Sequence, residues 1–376
     1  MSGEPDLREL IAAYDQLTPL ERAETIPAAW YRDPRVAELE GSSVFAASWQ
    51  AVGRSGQVAA PGEFLTASVA GEPVVVVRGD DAALRAFFNV CRHHAAAVVA
   101  EPCGTASVLR CPYHGWSYGL DGSLKGTPEF EGVADFDRAQ NGLAPLAVAE
   151  WEGFVFVRVA EAGTRLPEFL GSLASRIAPL GLERLRFFER RSYELACNWK
   201  VFVDNYLDGG YHVPHLHKGL SSVLRHAEYT VENGERFCLQ SSPLKAEGAE
   251  AETSAARGGD RAHYFWLYPN FMINHYAGVM DTNLVLPLAV DRTRVVFDFF
   301  FADVSAAAVA ANRRSVTVAE RIQNEDVAIC ESVQRGLASR AYRAGRLSVR
   351  REAGEHLFHR LLAADLRRGV QSSRRS

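Results

Sequence analysis

Near the start of the chain Leu7, Leu10, Ile11 and Tyr14 fall at helical spacing, which predicts a short amphipathic helix. The pattern then changes. Residues from about 42 to 158 read as short strands divided by turn residues, with "EPVVVVRG" a buried strand among them and "EGFVFVRVA" the last. "GTRLPEFLGSLA" reads as a linker into a second domain. There, long alternating runs in "YFWLYPNFMINHYAG" and "RTRVVFDFFFADV" predict strands, and a helix is predicted from Ser305 to Leu337. Residues 245–260, "KAEGAEAETSAARGGD", are low in complexity and read as a surface loop.

Composition narrows the class. At 376 residues and 47% hydrophobic, the chain can bury a core large enough for two domains. A net charge of −5 gives no electrostatic reason to bind nucleic acid or an anionic membrane. No apolar run nears the roughly 18 residues that cross a bilayer, and "MSGEPDLREL" lacks the apolar core of a signal peptide, so a cytoplasmic location is expected. Cysteines stay reduced in that compartment. The six here (Cys91, Cys103, Cys111, Cys197, Cys238 and Cys330) are scattered rather than framed for disulfides, which makes them candidates for metal binding.

Four residues carry the first candidate chemistry. In "CRHHAAAVVAEPCGTASVLRCPYHGW", residues 91–116, Cys91 pairs with His93 and Cys111 with His114. Zinc-finger spacing puts two cysteines together and two histidines together, whereas each pair here is mixed. A Rieske [2Fe–2S] cluster needs that mixture, because two thiolates hold one iron and two imidazoles the other. Each pair can sit on its own hairpin loop, and the aromatic, Gly-rich "GWSYGLDGSLKG" after the second pair reads as such a hairpin. His94 competes with His93 as a ligand, and the C-x-H spacing favours His93. Cys103, midway between the pairs, reads as a plain loop or core residue.

Such a cluster moves single electrons and does no substrate chemistry, so a catalytic site is expected in the chain that follows. No G-x-G-x-x-G or P-loop lies between a strand and a helix, so neither nicotinamide nor flavin has an evident home and electrons must come from another protein. In "NWKVFVDNYLDGGYHVPHLH", residues 198–217, a single helix would put Asn198, Val201, Asn205, Asp208 and His212 on one face, opposite Trp199, Val203 and Tyr206. Pro214 would break that helix and swing His217 back towards His212, with His215 as the competing second ligand. On the later helix Val318, Ile322, Ile329 and Val333 form an apolar stripe with Asp326 inside it. A carboxylate facing a core is costly unless paired or bound to metal. Glu325 lies at the stripe's edge and Glu331 opposite, so Asp326 is the best third ligand. Two histidines and one carboxylate make the facial triad of non-haem Fe(II) oxygenases.

Together the two motifs resemble the α subunits of Rieske non-haem iron oxygenases over nearly the whole chain. "NYLDGGYHVPHLHKGL", "LYPNFMINHYAGVMDTNLVLPL", "NEDVAICESVQRGL" and "GEHLFHRLL" resemble the choline monooxygenase branch and related quaternary-ammonium oxygenases. The usual C-x-H-R-G of the family is "CRHHA" here, so the customary Arg-Gly is missing.

The resemblance implies an α+β chain: a helical segment at 1–41 packing on the catalytic domain, an all-β Rieske domain at 42–158, and a helix-grip (START-like) antiparallel-sheet catalytic domain at 159–376. It implies a [2Fe–2S] cluster on Cys91, His93, Cys111 and His114, and a mononuclear Fe(II) on His212, His217 and Asp326. Asp208, with Asn205 beside it, joins the catalytic set as the acid bridging one subunit's Rieske histidine to the next subunit's iron, and Asp204 is the fallback. The family spaces that acid as D-x2-H, whereas this chain has D-x3-H. A head-to-tail homotrimer is implied, drawing two electrons from a ferredoxin or flavin reductase. With O2 it would hydroxylate choline at its alcohol carbon, the geminal diol losing water to betaine aldehyde. Other quaternary ammonium, aromatic or amine substrates are the alternatives. A quaternary ammonium is held by aromatic faces, and Phe202, Tyr206, Trp266, Tyr268, Tyr276 and Phe271 are available.

Overall fold

The computed structural model describes residues 6–245 and 259–372. Most of the low-complexity loop expected at 245–260 lies outside the described residues. The chain forms two compact units, Phe45–Phe169 and Met1–Val44 with Leu170–Ser376. The strand pattern alone put the boundaries at 42 and 158. Residues after 158 stay with the first unit because Trp49 Nε1 donates to the Thr164 carbonyl at 3.0 Å and Ala160 N to the Ala46 carbonyl at 2.9 Å.

The unit Phe45–Phe169 is all β. One sheet has the order β1-β10-β9-β4-β3-β2-β5, formed by β1 Gln50–Arg54, β2 Glu63–Val69, β3 Glu72–Arg78, β4 Leu84–Phe88, β5 Cys103–Thr105, β9 Pro145–Trp151 and β10 Phe154–Arg158. A small sheet, β6-β7-β8, holds Leu109–Arg110, Ser117–Tyr118 and Leu124–Gly126. β3 reads as a run of valines because both its faces are covered: Val75 and Val77 pack with Phe64, Phe87, Cys91 and Cys111, and Val74 and Val76 with Leu65, Val155 and Val157. The two Cys–His turns hang from this framework, one after β4 and the other between β6 and β7.

In the other unit a seven-stranded antiparallel sheet runs β11-β17-β16-β15-β14-β13-β12. Its strands are β11 Arg186–Leu195, β12 Thr230–Asn233, β13 Phe237–Pro243, β14 Arg261–Leu267, β15 Phe271–Tyr276, β16 Val279–Ala289 and β17 Arg292–Phe301. The stretch expected as one long alternating run is thus a hairpin, turning at the cis Tyr268–Pro269 bond. The helices, in chain order, are α1 Leu7–Ala12, α2 Pro34–Glu40, α3 Leu166–Leu170, α4 Leu173–Ile177, α5 Trp199–Leu207, α6 Val213–Leu216, α7 Lys218–Val223, α8 Val309–Leu337 and α9 Ala353–Ser372. The segment read as a linker therefore contains the short helix α3 and the start of α4. α5 is buried on all sides, with Trp199, Lys200, Val201, Phe202 and Val203 each at most 3% exposed. The Lys200 ammonium, inside the fold, is neutralised by Glu40 of α2 at 2.6 Å, and Trp199 Nε1 donates to the same carboxylate at 2.8 Å. This pair pins the start of α5 to the N-terminal segment.

Candidate metal centres and the cavity beside them

The two Cys–His turns share one design. Cys91 N donates to the Ala96 carbonyl and Ala95 N to the Cys91 carbonyl; Cys111 N donates to the Trp116 carbonyl and Gly115 N to the Cys111 carbonyl. Both cysteines are buried, and the His93 and His114 rings meet edge to face with centroids 4.7 Å apart. His93 stacks on Trp116 at 4.8 Å, and its buried Nδ1 has no hydrogen-bond partner. Burial, and then the neighbouring His94 and His114, lower its basicity and favour the neutral imidazole that a metal needs. His94 is exposed. The Tyr118 hydroxyl accepts from Arg92 N at 3.0 Å and lies 3.3 Å from Cys91 Sγ. Asn89 fixes the far side of the turn, accepting from the Val98 and Val99 amides and donating to the Val99 carbonyl. Two buried sulfurs and two imidazoles, one with an orphaned nitrogen, suit a [2Fe–2S] cluster. Cys103 is exposed on β5, outside this group.

The second group is built by a helix that ends early. The expected single face from Asn198 to His212 does not exist, because α5 stops at Leu207 and Asn198 is its N-cap, accepting from Lys200 N. Gly209 and Gly210 follow, both left-handed with φ of 68° and 67°. A Cβ on Gly209 would fall 2.1 Å from the Arg351 carbonyl oxygen, and one on Gly210 would fall 2.9 Å from the Tyr229 ring. Only glycine fits this turn. It delivers His212 to the start of α6, where Pro214 is accommodated in the first turn rather than breaking a helix. His217, at the end of α6, then meets His212 with centroids 4.8 Å apart, while His215 points to solvent.

Asp326 of α8 completes the group. Its Oδ1 lies 3.0 Å from His217 Nε2 and 3.9 Å from His212 Nε2. Metal bonds of about 2.1 Å at right angles need ligand atoms roughly 3 Å apart, so the three donors fit one ion. Each is held from behind. Asp208 Oδ2 contacts His212 Nδ1 at 2.5 Å, Glu325 Oε2 contacts His217 Nδ1 at 2.6 Å, and Asn205 Nδ2 donates to Asp326 Oδ1 at 2.8 Å. Carboxylates behind ligating imidazoles fix tautomer and orientation. Burial alone would depress His217's basicity, but its hydrogen bonds to Asp326 and Glu325 and their charges outweigh it. The same negative field favours a metal cation. Asp204 stands apart, bound to the Tyr31 hydroxyl at 2.6 Å and His359 Nε2 at 3.0 Å. The apolar stripe on α8 divides: Val318 is buried, but Ile329 and Val333 are 38% and 44% exposed.

A cavity of about 120 Å³ opens beside the three donors. Phe202, Tyr206 and Tyr276 line it, as do Tyr229, Tyr264 and Phe297. Trp266, Tyr268 and Phe271 do not line it. Trp266 packs edge-on against Phe358 of α9, and Tyr268 donates to Asp365 at 2.7 Å, so both belong to the core beneath the C-terminal helix. Tyr229, Tyr264 and the polar side chains beside them give no signal in the sequence alone: strand register brings Tyr264 to this face, and Tyr229, just before β12, donates from its hydroxyl to Gln240 at 3.1 Å.

Residues 48–137 match the Rieske [2Fe-2S] domain family, and residues 182–367 the catalytic domain of ring hydroxylating alpha subunits. Choline monooxygenase, chloroplastic, of Arabidopsis thaliana is 41% identical over 373 residues, covering 96% of this chain and 87% of its own. The chain belongs to the Rieske oxygenase α subunits. The carnitine monooxygenase oxygenase subunit of Escherichia coli (strain K12) is 33% identical over 357 residues, covering 91% of this chain and 94% of its own. The quaternary ammonium Rieske monooxygenase CntA, solved in complex with L-carnitine, superposes with a TM-score of 0.80 at 30% identity, covering 91% of this chain and 96% of that one. As a Rieske non-haem iron monooxygenase this α subunit is an oxidoreductase that uses a [2Fe–2S] cluster and a mononuclear iron and takes its electrons from a partner protein. Among the described residues no helix is long and apolar enough to cross a membrane.

Proposed function

We propose that this Rieske oxygenase hydroxylates choline, with O2 and two electrons delivered by a ferredoxin or flavin reductase. The observation that carries this is the aromatic lining beside the candidate iron ligands. A trimethylammonium group offers no hydrogen bond and is held by ring faces, each worth about 0.5–2 kcal/mol. Here Tyr229 and Tyr264 lie nearly parallel, 14° apart with centroids at 6.4 Å, and Tyr264 meets Tyr276 edge-on. Identity of 41% to a choline monooxygenase over nearly the whole chain supports the same substrate.

In this reading Cys91, Cys111, His93 and His114 hold the cluster, and His212, His217 and Asp326 hold the iron. When bound, the cluster supplies single electrons and the iron binds dioxygen. The chain's own residues do the rest. Glu325 and Asp208 keep Nδ1 of each imidazole engaged, leaving Nε2 for the metal. Asn205 orients the Asp326 carboxylate. Asp208 is the acid through which an electron from a neighbouring subunit's Rieske histidine reaches His212, in a head-to-tail trimer. Its contact with His212 Nδ1 supports it over Asp204, which is engaged elsewhere. Six free cysteines agree with a reducing, cytoplasmic location.

The test is single turnover of chemically reduced protein with choline and with its neutral isostere 3,3-dimethylbutan-1-ol, product per cluster being read by mass spectrometry. Choline should win by roughly tenfold to a hundredfold if about two rings contribute. Equal or better conversion of the neutral alcohol would overturn the choline assignment.

A further inference from the structure

One rung of the catalytic sheet faces the cavity. Gln240 of β13, Tyr264 of β14, Asn274 of β15 and Asp281 of β16 are successive cross-strand partners, and all four line it. Asn283, two residues along β16 and so on the same face, lines it too. Asn274 ties this wall together. Its Nδ2 donates to Asp281 Oδ2 at 2.6 Å and to Asn283 Oδ1 at 3.1 Å, while its Oδ1 accepts from the Tyr206 hydroxyl at 2.8 Å. The Asn274 amide thereby fixes the Asp281 carboxylate against the wall of the cavity, 3% exposed. The charges around the cavity are one-sided. Asp326 is committed to the candidate metal, which leaves Asp281 as the charged side chain on this wall, and among the described residues no lysine or arginine lines the cavity.

We propose that Asp281 is a specificity-determining residue, setting the charge the cavity admits. It supplies a negative charge beside tyrosine faces on the same sheet, favours a quaternary ammonium alcohol, and repels substrates that carry a carboxylate as well as the ammonium. This rests on the reading that the cavity binds a quaternary ammonium compound. It separates two kinds of substrate that aromatic faces alone cannot tell apart. Rings hold the trimethylammonium of choline, glycine betaine and carnitine alike, but only the last two bring a carboxylate, which on this wall meets the like charge of Asp281 and no lysine or arginine. Specificity of this sort is built as much from repulsion of the wrong ligand as from attraction of the right one.

The experiment measures product formation by the reconstituted enzyme with choline, glycine betaine, L-carnitine and 3,3-dimethylbutan-1-ol. The wild type should prefer choline over either zwitterion by about a hundredfold in kcat/KM, since like charges across a desolvated site are costly. Asp281→Asn should raise the KM for choline about tenfold or more with a much smaller change in kcat, and should lose most of the preference over the neutral alcohol. Asp281→Glu, which keeps the charge, should retain that preference. Damage to the fold would instead lower turnover of the neutral alcohol equally, and cluster absorbance with iron content per chain would report it. If Asp281→Asn does not fold, the wild-type ratios decide. Wild-type turnover of carnitine or glycine betaine rivalling that of choline overturns the assignment, and so does an Asp281→Asn enzyme with an unchanged preference. A wild type that converts only the neutral alcohol overturns the substrate reading itself, and this assignment with it.

Discussion

Ala95 and Gly115 occupy the same place in two turns of one design, each four residues after a candidate cluster cysteine and each donating its amide to that cysteine's carbonyl. Both are left-handed, with φ of 61° and 72°. Gly115 adopts this conformation freely, whereas Ala95 pays for it with a Cβ pressed towards its own carbonyl, at about 1 kcal/mol. Ala95→Gly is therefore expected to stabilise the turn by about that amount, and Gly115→Ala to cost about as much, because a Cβ there meets only Pro128 at 3.4 Å. The midpoint for thermal loss of cluster absorbance should rise for the first variant and fall for the second. A fall for Ala95→Gly would mean that the alanine methyl packs usefully.

Tyr118 is placed to tune the reduction potential of a cluster held by Cys91. Its hydroxyl accepts from Arg92 N at 3.0 Å and lies 3.3 Å from Cys91 Sγ, to which it would donate once Cys91 is a cluster-bound thiolate. Hydrogen bonds to cluster sulfurs raise the reduction potential by stabilising the electron-rich state. Tyr118→Phe should leave the cluster assembled and lower its potential, measured by redox titration of the visible spectrum. An unchanged potential would show that the hydroxyl proton points elsewhere.

What the sequence disclosed, and what it hid, follows from the range of each interaction. The two Cys–His pairs and the His212, His217 and Asp326 set stood out because metal chemistry restricts residue type and spacing whatever the fold around them. The approach from Asn198 to His212 was not legible. A helical face was drawn through Gly209 and Gly210, whose left-handed turn is dictated by the Arg351 carbonyl, distant in sequence. The cavity wall was harder still. Tyr264 and Trp266 share a face of β14, yet one lines the cavity and the other lies under Phe358, and only the position of α9 separates them. Asp281 gave no signal alone; register with Asn274 puts it there.

Glu325 should matter to metal binding without touching metal. Its carboxylate holds His217 Nδ1 at 2.6 Å, as Asn205 holds Asp326 at 2.8 Å. Loss of such partners typically weakens metal affinity about tenfold to a hundredfold. Glu325→Gln and Asn205→Ala should each lose mononuclear iron to a chelator at concentrations the wild type withstands, with the cluster's colour retained. Asp326→Ala should lose that iron outright, again keeping the colour. Iron-to-sulfide ratios after dialysis measure both effects, and wild-type iron retention by Glu325→Gln would remove Glu325 from the site.

On the sheet, His263 and His275 are cross-strand partners on β14 and β15, with ring centroids 6.0 Å apart. Burial, and then the neighbouring His263, pull the pKa of His275 from 6.5 down to about 4, and burial followed by Arg261 lowers that of His263. The sign follows. Below pH 6.5 an unfolded histidine binds a proton that the folded one refuses, so the unfolded state holds more protons and stability falls with pH. The loss begins near pH 6.5, deepens as pH falls towards 4, and then levels off. At about 1.4 kcal/mol per pH unit, His275 accounts for something on the order of 2–3 kcal/mol across that window. His275→Phe keeps the volume and abolishes the titration. Urea unfolding of the two proteins from pH 7 to pH 4.5 should therefore diverge, the wild type losing stability faster and the variant flattening the acid limb. Parallel curves would place the acid sensitivity elsewhere in the chain.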